Sequence, residues 1–424
     1  MQYLKDAPEK TFARDAKTAQ LVGDILQNIR RRGDAEIRTL SQKFDHLDLP
    51  YLRVPGCAIQ AAYRQVAPET VAYLRKAAAQ ITFYAEQQKK CLLPLETDSP
   101  VPGVRLGHRL VPVEAVGAYV PGGRYPLPST ALMLAIPARV AGVRRIAACS
   151  PPSRDHGTIH PAVLVAMDVA GVTEVYCVGG AQAVAALAYG TETIPKVDLI
   201  AGPGNRFVTE AKRQVLGEVG IDSLAGPSEV LVIADATARP DFVAIDLLAQ
   251  SEHDPNARAT LVTTSAALGK TVLEKAEQLA GTLPTGAAAW KSWQDNGMVM
   301  VADSMDACVA LANEMAPEHL ELQVDESQQD AIAARLLHFG SLFIGHYAPV
   351  AFGDYCSGTN HTLPTMRTAR FANGVWVGTF LKTAFVQHIS KEGCKNLAGA
   401  CMHLAGVEGL MAHQKSVSLR VAES

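Results

Sequence analysis

The sequence predicts an α/β protein with two successive blocks of parallel sheet, a helical region ahead of them and a helical tail behind. From about residue 111, short apolar runs alternate with longer helical segments, and strands that apolar need a parallel sheet covered on both faces. The alternation then continues in a second block. A chain of 424 residues is also too long for one simple core.

Residues 14–44 read as an amphipathic helix, with Val22, Ile25, Leu26 and Ile29 at helical spacing and Arg30, Arg31 and Arg32 before the break at Gly33. A second helical stretch covers 67–90. Residues 1–110 therefore read as an N-terminal helical region, its later part joining the second α/β block. Strands follow at VEAVGAYV (113–120), RRIAACS (144–150), TEVYCVG (173–179), VDLIAG (197–202) and EVLVIAD (229–235). Helices such as STALMLAIPARVAG (129–142) and NRFVTEAKRQVLGEV (205–219) separate them. ATLVTTS (259–265), GMVMVAD (297–303), EHLELQV (318–324) and SLFIGH (341–346) continue the pattern, with 282–289 as a surface connection. After about 377 the β signal ends, and helices near 390–404 and 406–414 form the tail. The divisions drawn are 1–110, 111–228, 229–376 and 377–424.

A net charge of −3 with no long run of one sign argues against a nucleic-acid or anionic-membrane surface. No apolar stretch is long enough for a membrane span. The polar opening MQYLKDAPEKTFARDAK lacks the apolar core of a secretory leader. The eight cysteines are scattered without a C-x-x-C, which reads as reduced thiols. A cytoplasmic location is expected.

Three Gly-rich turns, in YVPGGRYPLPST (119–130), VGGAQA (178–183) and AGPGNRF (201–207), follow strands and open helices. Free N–H groups at a helix start favour phosphate, although ordinary βα turns look the same one at a time. Gln250 and His253 share a face at the end of a helix; Asp354 and His413 supply another carboxylate and imidazole. This is an oxygen and nitrogen set of the kind a divalent metal takes. Glu318 and His319 are an adjacent pair suited to proton transfer beside a metal. None of these spacings is diagnostic alone: a turn carboxylate and a satisfied core histidine are the bland readings. A zinc hydrolase working through Glu318, or a non-catalytic nucleotide scaffold, uses the same residues.

The ordered words YVPGG, VGGAQA, GPGN, FVTEAKRQV, AGPSEVLVIAD, AQSEHD, PEHL, GDYCSGTNHTLPT and LMAHQKS resemble the histidinol dehydrogenase family over nearly the whole chain. The resemblance implies two Rossmann-like domains and an intertwined homodimer whose C-terminal tail reaches the partner's site. It implies an enzyme with one Zn2+ per subunit and NAD, oxidising a primary alcohol to a carboxylic acid in two hydride transfers. By the same resemblance Gln250, His253, Asp354 and His413 are the zinc ligands, and Glu318 and His319 the acid/base pair. Tyr119, Gln182 and Asn205 match NAD-contacting positions. Ser228, His361 and Glu408 match substrate-side positions, where the ligands and His319 also touch the substrate. YLKDAP, GHRLVPV, GTIHP and VAFGD look closer to the sulfopropanediol dehydrogenase branch, as does the departure of 371–390 from the usual family run. The expected substrate is therefore 2,3-dihydroxypropane-1-sulfonate, oxidised to sulfolactate, with L-histidinol to L-histidine as the alternative. Arg367 and Arg370 are candidates for holding the sulfonate.

Overall fold

The computed structural model describes residues 1–8, 15–122 and 125–423. The chain divides into two compact units: Met1–Glu86 with Glu114–Phe380, and Gln87–Val113 with Leu381–Ser424.

In the larger unit, strand β1 (Gln2–Lys5) is followed by helices Ala16–Arg32 and Asp34–Asp45. The single amphipathic stretch of the sequence is thus two helices, because Gly33 turns the chain at φ +53° while its N–H still caps Ile29. Arg14, at the expected start, lies outside the described residues. Val22, Ile25, Leu26 and Ile29 are all buried, as their spacing demands. The helices Gly56–Tyr63 and Pro68–Lys90 come next in sequence, and then strands β2 (Leu95–Asp98) and β3 (Val104–Pro112), which belong to the smaller unit.

Strands β4 (Ala115–Tyr119), β5 (Arg145–Ser150), β6 (Glu174–Cys177), β7 (Leu199–Ala201) and β8 (Gly220–Ile221) form one sheet in the order β6-β5-β4-β7-β8. Every pairing in it is parallel. Strands β9 (Glu229–Ala234), β10 (Arg258–Thr263), β11 (Met298–Val301), β12 (His319–Gln323) and β13 (Ser341–Ile344) form the second sheet, ordered β1-β11-β10-β9-β12-β13. It is parallel except for β1, which runs antiparallel along β11. Counted from its first parallel strand, each sheet has the order 3-2-1-4-5, the half-Rossmann arrangement.

Both faces of the second sheet are covered. Val230, Val232 and Leu261 pack with Leu247 and Val272 on one side; Leu231, Ile233, Leu320 and Leu322 pack with Val309 and Ile332 on the other. A side chain buried this way contributes about 1.5–3 kcal/mol, which is why the strands read as unbroken apolar runs. The helix Pro128–Ala141 is buried nearly all round and closes on the first sheet.

The smaller unit departs from expectation. Its antiparallel ribbon β14-β3-β2 includes β14 (Leu381–Ile389), in a segment read as helical tail. β2 and β3 lie where an N-terminal helical region was expected. A ribbon strand is stabilised by its partner, and β14 pairs with β3 residues far away in sequence, so local periodicity cannot report it. Likewise the N-terminal strand that joins the second sheet is β1, from the first residues rather than the later part of that region. The helices Lys391–Val407 and Met411–Ala422 follow β14. This unit buries little of itself: Phe385, Leu95, Leu106, Leu404, Val407 and Met411 are all exposed. No helix among the described residues is long and apolar enough to cross a membrane.

Candidate active site

Glu318 and His319 sit at the amino end of β12, both about 5% exposed. Their main chain is held by β13: Gly340 N–H donates to the Pro317 carbonyl and Ser341 N–H to the Glu318 carbonyl. A side chain on Gly340 would press against that Glu318 oxygen, so this approach needs glycine. Both side chains are then fixed by the backbone of one residue, Glu229 at the start of β9. The Glu229 N–H donates to the Glu318 carboxylate at 2.9 Å, and the Glu229 carbonyl accepts from His319 Nδ1 at 3.1 Å.

A carbonyl can only accept, so Nδ1 carries the ring proton and Nε2 keeps its lone pair. That Nε2 is buried with no hydrogen-bond partner among the described residues and lies 3.8 Å from Asp354 Oδ1. Burial, with His253 and His361 close by, lowers the His319 pKa to about 3, so the ring is neutral. Burial pushes the Glu318 carboxyl well above the usual carboxylate range, despite the Glu229 N–H.

Asp354 is not in a loop, as its surroundings in sequence suggested. It lies in the short helix Val350–Tyr355. Its main-chain carbonyl accepts from His361 Nδ1 at 2.9 Å, and His361 Nε2 meets Thr130 Oγ1 at 3.1 Å. Asn360 Nδ2 donates to the Met133 carbonyl at 2.6 Å. The loop after Asp354 thereby ties the amino end of the second sheet to the helix Pro128–Ala141 of the first. Desolvation raises the Asp354 pKa to about 7. Gln250 lies in the last turn of helix Pro240–Ser251, 3% exposed, and His253 follows just beyond the end. His253 is exposed, and desolvation lowers its basicity while Glu252 partly restores it. Ser228 precedes β9, and its carbonyl accepts from Arg258 N–H.

The larger unit thus gathers Glu318, His319, Asp354, His253 and His361 at the strands' amino ends. A buried carboxylate without a counter-cation and an orphaned imidazole nitrogen suit a cation-binding site. Among the described residues no group of three His, Cys, Asp or Glu closes a metal cluster. His413 and Glu408 belong to the smaller unit, and both are exposed.

The Gly-rich turns stand at the carboxyl ends of β4, β6 and β7. Gly123 and Arg124 of the first lie outside the described residues. Tyr119 is buried, its hydroxyl accepts from Gly180 N–H at 3.0 Å, and burial pushes its phenol up to about 12. Gln182 is buried in the first turn of helix Gly180–Tyr189. Asn205 caps helix Arg206–Val215, its Oδ1 accepting from Phe207 and Val208 N–H. Gly202 has φ +130° and a Cβ there would strike the Tyr119 carbonyl. Two residues unnoticed in the sequence clamp this turn. Asp222 accepts from Gly202 N–H at 2.8 Å, while Lys212 donates to the Gly202 carbonyl at 2.9 Å and pairs with Asp222. Glu229 was also unnoticed. Its carboxylate accepts from Met366 N–H at 2.9 Å, in a turn where Met366 and Arg367 both have positive φ.

The arginines proposed for a sulfonate are engaged elsewhere. Arg370 donates to the Asn313 and Glu314 carbonyls at the end of helix Met305–Met315, and Arg367 lies 3.9 Å from Glu314. Both are exposed.

Two Rossmann-type sheets, with a buried Glu–His pair at one and Gly-rich turns at the other, are the architecture of a nucleotide-dependent oxidoreductase. Residues 9–421 match the family model Histidinol dehydrogenase. The chain is 46% identical over 413 residues to the histidinol dehydrogenase of Gluconobacter oxydans, covering 97% of this chain and 94% of that one. It is 46% identical over 400 residues to the histidinol dehydrogenase of Thermosynechococcus vestitus, covering 94% and 91%. The crystal structure of histidinol dehydrogenase from Elizabethkingia anophelis superposes with a TM-score of 0.92 at 37% identity, covering 98% of this chain and 94% of that one. The chain belongs to the histidinol dehydrogenase family. It is an NAD-dependent oxidoreductase acting on a CH–OH group, in a family that uses Zn2+ and NAD.

Proposed function

We propose that the protein oxidises L-histidinol to L-histidine through a bound aldehyde, in two hydride transfers to two molecules of NAD. The observation that carries this is the buried, unpartnered Nε2 of His319 beside Asp354, in a chain of this family. Gln250, His253 and Asp354, completed by His413 of a second subunit, would hold Zn2+. When bound, the metal supplies Lewis acidity and a fixed point for the substrate's oxygen and nitrogen.

His319 accepts the hydroxyl proton as hydride leaves for NAD. Asp354 Oδ1, 3.8 Å from Nε2, faces the nitrogen that takes this proton. Glu318, aimed by the Glu229 N–H, then takes a proton from the water that adds to the aldehyde. The resulting hydrate loses its second hydride to a second NAD, its proton passing to His319 once that ring has released the first proton to solvent. Tyr119, Gln182 and Asn205 are proposed to contact NAD; Ser228, His361 and Glu408 are proposed to contact the substrate.

A homodimer is part of this reading, because the smaller unit exposes apolar side chains that a second copy would cover. A cytoplasmic setting is proposed from the eight free cysteines. L-Histidinol is favoured over 2,3-dihydroxypropane-1-sulfonate on two grounds. The relatives above carry the name histidinol dehydrogenase, and the guanidinium groups of Arg367 and Arg370 are bound to the end of helix Met305–Met315. The test is NADH formation with each alcohol in parallel. Turnover of L-histidinol supports the reading, and turnover of the sulfonate alone sinks it.

A further inference from the structure

We propose that Asp246 and Glu321, bridged by Gln323, act as a positioning device that holds the metal-binding residues in register by tying together the elements that carry them. This rests on reading Gln250, His253 and Asp354 as metal ligands. Asp246 lies on helix Pro240–Ser251, one turn before Gln250. Glu321 lies on β12, two residues after His319 and so on the same face of the sheet. Val350 is the first residue of the helix that carries Asp354.

The hydrogen bonds join all three. Gln323 Nε2 donates to Asp246 Oδ2 at 3.0 Å and to Glu321 Oε2 at 2.8 Å, and Val350 N–H donates to Glu321 Oε1 at 3.1 Å. Burial raises both carboxyls, and the charge of Asp246 beside it adds to the rise at Glu321. Glu321 is 1% exposed and Gln323 2%, against a layer of Leu247, Phe343 and Val350. An apolar residue would pack there without the cost of burying an acid. What the acid does that an apolar residue cannot is satisfy Val350 N–H, one of the free donors at that helix start, which Pro349 has no side-chain acceptor to cap. The short helix bearing Asp354 is thereby fixed to β12, and through Asp246 to the helix bearing Gln250.

The test is zinc affinity of the full-length apo protein, by competition with a chromogenic chelator, with circular dichroism and melting temperature recorded in parallel. Val350→Pro removes the single N–H. Proline is accepted at a first helical position, and Pro349 is already extended at φ −69°, ψ 153°, as a residue before proline must be. Glu321→Leu removes the whole tie. Glu321→Gln keeps the acceptor for Val350 N–H while removing the acid. Val350→Pro and Glu321→Leu are expected to weaken zinc about 10–100-fold, and Glu321→Gln to stay within about threefold of wild type. A merely structural role would lower the melting temperature and leave zinc affinity unchanged, and that result for Val350→Pro overturns the inference. Should Glu321→Leu not fold, Val350→Pro alone decides. Asp354→Asn is the control: if it binds zinc as tightly as wild type, the metal reading itself fails, and this inference with it.

Discussion

His319 Nδ1 donates to the main-chain carbonyl of Glu229 at 3.1 Å, and this bond decides which ring nitrogen is free. Because the tautomer is set by backbone, Nε2 faces Asp354 as an acceptor without any proton having to move first. The same residue's N–H aims Glu318, so β9 positions both members of the pair.

His319→Asn keeps a donor for that carbonyl and removes the proposed base. It is expected to lower kcat for alcohol oxidation about 10²–10⁴-fold while bound zinc, measured by elemental analysis, stays at the wild-type level. Loss of zinc together with activity would move His319 into the ligand set.

Glu318→Gln separates the two half-reactions. Conversion of added aldehyde to acid is expected to fall about 10²-fold or more, with the first hydride transfer, followed as single-turnover NADH formation, reduced much less. Equal loss in both steps contradicts the water-activating role.

A shared site can be tested by complementation. His319→Asn and His413→Asn subunits are each inactive in the proposed scheme, but a mixed dimer assembles one intact site. Random reassociation is expected to restore about a quarter of wild-type activity. No recovery, with mixed dimers demonstrated by mass, places His413 in its own subunit's site or outside the chemistry.

Much of this was legible in the sequence and part was not, for identifiable reasons. Strands buried on both faces leave apolar runs, so β4, β5, β9 and β10 were plain. Gln250 and His253 were readable as a pair because helical spacing is local. Glu229 looks like any acid opening a strand; its meaning depends on Met366, 137 positions away. Lys212 and Asp222 read as surface charges, yet both are 3% exposed and hold the Gly202 turn. β14 needed β3, and the helix around Asp354 is too short to show periodicity.

That clamp gives its own prediction. Removing one partner of a buried ion pair strands the other charge, so Lys212→Met is expected to cost about 3–5 kcal/mol of stability. With the Gly202 peptide released, KM for NAD should rise while KM for the alcohol changes little. Unchanged NAD kinetics in a folded variant would confine the pair to stability alone.

The Asp246 carboxyl, pushed up to about 6 chiefly by burial, makes stability depend on pH. Its folded pKa lies above the unfolded value of 3.8, so its contribution is complete below that value and is lost as pH rises through the folded pKa. Between pH 4 and 7 the wild type is expected to lose on the order of 1–2 kcal/mol relative to Asp246→Asn, which lacks the titration. Melting curves of the two proteins over that range check it, and parallel pH profiles would contradict it.

The most direct measurement of the central claim is the stoichiometry of NADH against L-histidinol consumed, with the products resolved by chromatography. Two NADH and one L-histidine per L-histidinol, with no aldehyde released, is the predicted result. A single NADH with free aldehyde accumulating, or no turnover of L-histidinol at all, would contradict it.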